Sequence, residues 1–106
     1  MVKKEFVKTI SPSGNDRLRI RIETQRGKVV NMVVQYEARF GEEWHPIVRY
    51  DCSHGFLHRD VMFPGGKKEK YPLDIPDLQS ALLYAEQDIK DRWQWYRTRY
   101  RKRLSK

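Results

Sequence analysis

The chain has 106 residues, 39% apolar and 34% charged, with a net charge of +8. That length fits one domain with one core, and the content of branched aliphatic and aromatic residues excludes a disordered chain. No apolar run approaches the roughly 18 residues of a membrane-spanning helix, and Cys52, the single cysteine, excludes an internal disulfide and a cysteine-built zinc site. Met1-Val2-Lys3-Lys4-Glu5-Phe6 has no apolar segment behind its lysines, so no signal peptide is expected and the cytoplasm is the simplest location. The excess charge is local. Residues 1–91 hold 15 Lys/Arg against all 14 Asp/Glu, whereas residues 92–106 hold seven bases and no acid.

Lys3 to Ile10 is a short strand candidate, closed by the turn cluster Ser11-Pro12-Ser13-Gly14-Asn15-Asp16. Arg17 to Thr24 alternates strictly: Leu18, Ile20 and Ile22 share one face, and Arg17, Arg19, Arg21 and Glu23 the other. After Gln25-Arg26-Gly27-Lys28 a long strand runs from Val29 to Phe40. Its apolar face is expected to be Val30, Met32, Val34, Tyr36, Ala38 and Phe40. Gly41-Glu42-Glu43 turns the chain into Trp44–Asp51, with Trp44, Pro46, Val48 and Tyr50 expected on one side and His45, Ile47, Arg49 and Asp51 on the other. Pro46 cannot donate to a ladder, so this strand should start at an edge or a bulge. Phe56–Phe63 is its partner, and Lys68–Leu73 is a last short strand.

From Asp74 the period changes. Ile75, Leu78, Leu82, Ala85, Ile89, Trp93, Tyr96, Tyr100 and Leu104 recur every three or four residues, the stripe of one helix. Asp74 is the expected N-cap, Pro76 suits the first turn, and the bases gather where the helix dipole favours cations. About 30 helical residues span roughly 45 Å, longer than a body with a radius of gyration near 13 Å. The last turns are therefore expected to project. The fold expected is α+β: residues 1–73 form an antiparallel meander of five or six strands, and residues 74–106 form a long C-terminal helix covering one face.

Three clusters could carry chemistry. The hairpin Arg49-Tyr50-Asp51-Cys52-Ser53-His54-Gly55-Phe56-Leu57-His58-Arg59-Asp60 concentrates histidines, carboxylates and arginines. With a two-residue loop Asp51 faces His58 and Arg49 faces Asp60. With a four-residue loop Arg49 faces His58 and Ile47 faces Asp60. Both registers put Arg49, Asp51, His58 and Asp60 on the face away from Val48, Tyr50, Leu57 and Val61. A histidine beside a carboxylate is a candidate general acid/base, and an arginine nearby could hold a phosphate. His58, Asp51, Arg49 and Asp60 are thus the candidate catalytic residues of a metal-independent RNA cleavage. The competing reading is cross-strand ion pairing on a solvated face. No metal or other cofactor is expected: His54 and His58 have a helical ligand spacing, but four strand residues span roughly 13 Å. Cys52 reads as a half-buried structural thiol.

The second cluster is Trp93 to Arg103. Trp95, Arg97, Arg99, Arg101, Lys102 and Arg103 are the candidate nucleic-acid contacts, because interleaved aromatics and guanidiniums stack on bases and pair with phosphates. The alternative is that these aromatics finish a packing stripe. The third cluster, Arg17, Arg19 and Arg21 with Gln35, Glu37 and Arg39, reads as a mixed-sign solvated face.

The run Arg49-Tyr50-Asp51-x-x-His54-Gly55-x-x-His58-Arg59-Asp60, with strands before it and a helix after it, resembles small bacterial and archaeal proteins. Some of these are similar to the toxin halves of two-gene toxin–antitoxin modules. The resemblance implies an RNA-directed toxin or a non-catalytic relative, with an antitoxin-like protein as a partner and His58, Arg49 and Asp51 as the positions to test. Asp60 stands where those relatives often have histidine. The leading expectation is a small RNA-interacting protein, toxin-like ribonuclease included. The alternative is a non-enzymatic module whose projecting helix forms a homodimer or binds a protein.

Overall fold

A computed structural model of the chain describes residues 1–52 and 56–104. Strands β1 (Val2–Thr9), β2 (Asp16–Gln25), β3 (Lys28–Phe40), β4 (Glu43–Asp51), β5 (His58–Met62) and β6 (Lys68–Pro72) form one antiparallel sheet, each pairing with the next. Helix α1 (Leu78–Leu104) follows and packs across β3 and β4. The α+β meander with a C-terminal helix is therefore the observed architecture, with six strands. Its shortest connection is instructive. Gln25 and Lys28 pair across Arg26-Gly27, and both loop residues have positive φ (53° and 77°), the geometry whose twist matches the flanking strands.

The core lies between the helix and one sheet face. Leu18, Ile20, Met32, Val34, Tyr36, Ala38, Val48 and Tyr50 from the strands meet Ala81, Ala85, Ile89, Tyr96 and Tyr100 from the helix. The helix runs in the same sense as β3: Leu78 borders a hollow with Val29, and Tyr100 stacks on Phe40 at 5.9 Å. The expected overhang is corrected by this alignment. Twenty-seven helical residues span about 40 Å, and the 13 residues of β3 span about 43 Å. β3 tracks the helix as far as Tyr100, which is buried; only the last turn, 101–104, is exposed past the end of β3, and there the Arg103 guanidinium still lies 4.0 Å from the Phe63 ring.

Two bulges correct the expected strand faces. Between Glu23/Asn31 and Thr24/Val29 the register slips, which leaves Val30 unpaired and 42% exposed. Val29 takes the inward place expected for Val30 and packs on the core. Opposite Tyr36 the ladder slips again, pairing Val48 with Tyr36 but Pro46 with Glu37. Ile47 is the extra residue, and it sits beside the proline that cannot serve the ladder. The first half of β4 is thereby inverted. His45 faces the helix, 5.6 Å from the Phe40 ring and 5.7 Å from that of Tyr100, while Trp44 turns to the other face beneath the Arg17 guanidinium at 3.8 Å.

The helix starts later than the sequence pattern indicated. Asp77, not Asp74, is the N-cap: its Oδ1 accepts from the Ser80 amide at 2.7 Å and its Oδ2 from the Ser80 hydroxyl at 3.0 Å. Those bonds stabilise the carboxylate and hold the Asp77 carboxyl below its ordinary range. Asp77→Ala is expected to destabilise the chain through loss of the capping side chain, read as a lower urea midpoint at unchanged slope.

Candidate functional site

The structure selects the first hairpin register: Asp51 pairs with His58 and Arg49 with Asp60. His54 and Gly55, which contribute to the resemblance, and the His54–His58 pair lie outside the described residues. Arg49, Asp51, His58 and Asp60 share the sheet face opposite the helix, as alternation requires. The expectation that this face is solvated there is wrong. His58, Asp60 and Asp51 are 1%, 2% and 6% exposed. β6 makes β5 an interior strand, placing Pro72 opposite His58, and the Phe56 ring stands 5.4 Å from the imidazole. Arg49 and Lys68 reach the carboxylates from the two sides.

Within this enclosure His58 Nε2 lies 3.1 Å from Asp51 Oδ1 and 3.6 Å from Asp60 Oδ2. Arg49 Nε donates to Asp51 Oδ2 at 2.9 Å, and its Nη1 to Gln35 Oε1 at 3.4 Å. Lys68 Nζ is 3.6 Å from Asp60 Oδ2. His58 Nδ1 and Asp60 Oδ1 are buried with no hydrogen-bond partner among the described residues. One ligand atom from each of Asp51, His58 and Asp60 lies within 4.8 Å of the other two. The four residues singled out from the sequence are thus one cluster, built from two adjacent strands.

The polar network continues along the same face. Glu37 is buried and accepts from Arg17 at 2.6 Å, Gln35 at 2.6 Å and Arg19 at 3.2 Å. Burial pushes its carboxyl up, but these donors outweigh burial and hold it below the ordinary range. Arg19 and Arg21 both reach Glu5. This face is expected from the sequence to be solvated; instead Glu37 is buried at its centre and the arginines Arg17, Arg19 and Arg21 pair with Glu37 and Glu5. Cys52 is a half-buried thiol that donates to Asn31 Oδ1 at 2.9 Å.

The basic end of the helix divides into two sets. Arg97 turns inward, bonding Asp16 Oδ1 at 3.2 Å and the Arg39 carbonyl at 3.1 Å. Trp95, 55% exposed, lies on the outer side, where Trp95, Thr98, Arg99, Lys102 and Arg103 line a hollow of about 350 Å³. Arg99 also pairs with Glu69 at 3.3 Å, and its guanidinium lies 5.4 Å from the Trp95 ring. Arg101 borders the neighbouring surface with Thr98 and Lys102. The sequence brought these six residues together as one set; helical geometry turns Arg97 toward Asp16 and Arg39 at the edge of the sheet and the other five outward.

A family model described as a domain of unknown function, DUF7718, matches residues 1–106. The chain belongs to the DUF7718 family. No curated protein and no solved structure matches it. Among the described residues, no helix of this DUF7718 chain is long and apolar enough to cross a membrane.

Two further polar stations of this DUF7718 fold were not evident in the sequence. Asp88 Oδ2 accepts from Tyr50 at 2.6 Å and Tyr96 at 2.7 Å, with Arg59 at 4.0 Å and Arg92 at 3.5 Å from the carboxylate. Asp16 Oδ1 accepts from Tyr36 at 2.5 Å beside Arg97. Lys68 likewise joins the imidazole cluster from a strand with no marked pattern. The one available signal was negative: Asp88 lies one residue before Ile89 on the buried side of the helix stripe, a place where a carboxylate needs partners.

Proposed function

We propose that this protein is a non-catalytic RNA-binding module that holds single-stranded RNA on the outer side of its C-terminal helix. The observation that carries this reading is the hollow lined by Trp95, Thr98, Arg99, Lys102 and Arg103, which contains an exposed indole and three cationic side chains, Arg99 being paired with Glu69 at its edge. An indole offers a stacking plane to any base, and the surrounding cations offer phosphate partners. Arg99 beside the Trp95 ring and Tyr96 packed at 5.3 Å against it fix the orientation of that plane. Arg101 extends the positive surface by one helical step.

The ribonuclease reading gains less from the geometry. A general base must reach the proton it takes. Here Nε2 of His58 faces two carboxylates and Nδ1 is enclosed, in a residue 1% exposed. Among the described residues, neither nitrogen is left open to a 2′-hydroxyl. The helix lies along the sheet as far as Tyr100, so the reading as a projecting dimerising or partner-binding arm gains less support.

The test is fluorescence anisotropy of a labelled single-stranded RNA with the full chain across a salt series. Neutralising three or four phosphates on a single strand predicts a log–log salt slope of about −2 to −3. Trp95→Ala is expected to weaken binding by about tenfold, the loss of one stacked base. The double variant R101E/R103E is expected to weaken it further and flatten the slope. RNA retention unchanged by both variants, or absent at low salt, would overturn the proposal. RNA cleavage in EDTA that is lost in His58→Ala would restore the enzymatic reading.

A further inference from the structure

We infer that Asp51, His58 and Asp60 form a binding site for one divalent transition-metal ion. The donor set is two carboxylates and one imidazole on facing positions of two paired strands, so the backbone ladder fixes their spacing. Ligands about 2.0–2.2 Å from a common ion stand about 3–3.6 Å from one another. His58 Nε2 is 3.1 Å from Asp51 Oδ1 and 3.6 Å from Asp60 Oδ2, within that range. Mixed carboxylate and imidazole ligation suits the ions from manganese to zinc better than magnesium or calcium.

A second observation points the same way. Asp60 is 2% exposed, its Oδ1 has no hydrogen-bond partner among the described residues, and the contacts of its Oδ2 with His58 and Lys68 are each 3.6 Å. Those contacts exceed hydrogen-bond length. A buried carboxylate held this loosely, with its cationic partner Lys68 no nearer than 3.6 Å, is a donor group able to take a closer cation. Asp51 is better prepared: Arg49 binds Oδ2 at 2.9 Å, which orients the carboxylate and leaves Oδ1 toward the imidazole, the arrangement of an outer-shell partner. Lys68 supplies the present counter-charge to Asp60 through a side chain 51% exposed, which can withdraw to water when an ion enters. With Arg49 still paired to Asp51, the two carboxylates leave one net negative charge at the site for the incoming ion.

The test is titration of the full chain with Zn²⁺ and, separately, Mn²⁺ by isothermal calorimetry, with Co²⁺ as the spectroscopic probe. One equivalent is expected, and the Co²⁺ visible spectrum should show nitrogen and oxygen ligation without a thiolate band. Asp60→Asn and His58→Gln should each weaken binding by at least about 100-fold, since even an outer-shell partner contributes 10- to 100-fold. Lys68→Ala removes a competing cation from a half-exposed position and should tighten binding by about threefold. If a ligand variant fails to fold, the native chain and Lys68→Ala still decide the matter. No stoichiometric uptake by the native chain overturns the site. So does a thiolate band, affinity unchanged in Lys68→Ala, or binding that survives in both folded ligand variants, which would move the ion to Cys52 or His45.

Discussion

Above pH 10 this protein is expected to lose stability by about 4 kcal/mol for each further pH unit, and to release tyrosine protons in the same transition. Tyr36, Tyr50 and Tyr96 are buried between the sheet and the helix. Burial raises all three hydroxyls far above their ordinary pKa of 10.0, and the hydrogen bonds they donate to Asp16 and Asp88 raise them further, because a phenolate there would face a carboxylate. The folded values exceed the unfolded ones. The stabilisation is therefore fully present below pH 10 and is lost as pH rises toward the folded values, while the unfolded chain releases three protons that the native state retains. Three protons at about 1.36 kcal/mol per pH unit give the stated slope. A typical domain stability of about 5–15 kcal/mol would be consumed within a few pH units. Far-ultraviolet dichroism and tyrosinate absorbance, followed together, check this. If more than the solvent-accessible tyrosines ionise near pH 10 while the dichroism remains native, the expectation fails.

Asp88→Ala is expected to cost about 3–5 kcal/mol, as much as any single core truncation in this chain. The carboxylate joins the helix to β4 and β5 through Tyr50 and Arg59 and to the helix's own later turn through Tyr96, and its side chain is 7% exposed, so solvent screens it little. Its removal leaves two phenolic hydroxyls and a guanidinium facing a void. The Arg59 Nε is already buried without a hydrogen-bond partner among the described residues, so the cluster has little reserve. Tyr50→Phe in the Asp88→Ala background should recover part of the loss, because it removes one of the abandoned donors. Urea unfolding of the four proteins of this cycle makes the comparison. A single-variant loss below about 1 kcal/mol would show that water satisfies the site, contrary to its burial.

The architecture was legible because it rests on period. Leu18, Ile20 and Ile22 against Arg17, Arg19 and Arg21 can only be a half-buried strand, and the change to intervals of three and four after Asp74 can only be a helix. What alternation could not reveal was where it breaks. Val30 and Ile47 look like ordinary members of their strands, and only pairing with a neighbour exposes them as extra residues. The candidate site was half legible for the same reason. Its four residues and their common face follow from the hairpin. Their burial follows from Phe56, Pro72 and Lys68, which belong to separate segments and carry no shared pattern. Helix length was readable, but its overhang was not, because the relevant ruler is β3 rather than the average radius.

The slip at Ile47 has a further consequence. β4 is read in two frames, one before Ile47 and one after it. The first frame answers to the turn at Gly41-Glu42 and places Trp44 against Arg17; the second answers to β5 and places Arg49 and Asp51 against Asp60 and His58. An insertion or deletion in the first frame can be absorbed by moving the unpaired residue along the ladder, without shifting any donor atom of the second. The imidazole cluster is in this sense insulated from its nearest upstream turn, and sequence drift at one end of the hairpin is decoupled from chemistry at the other.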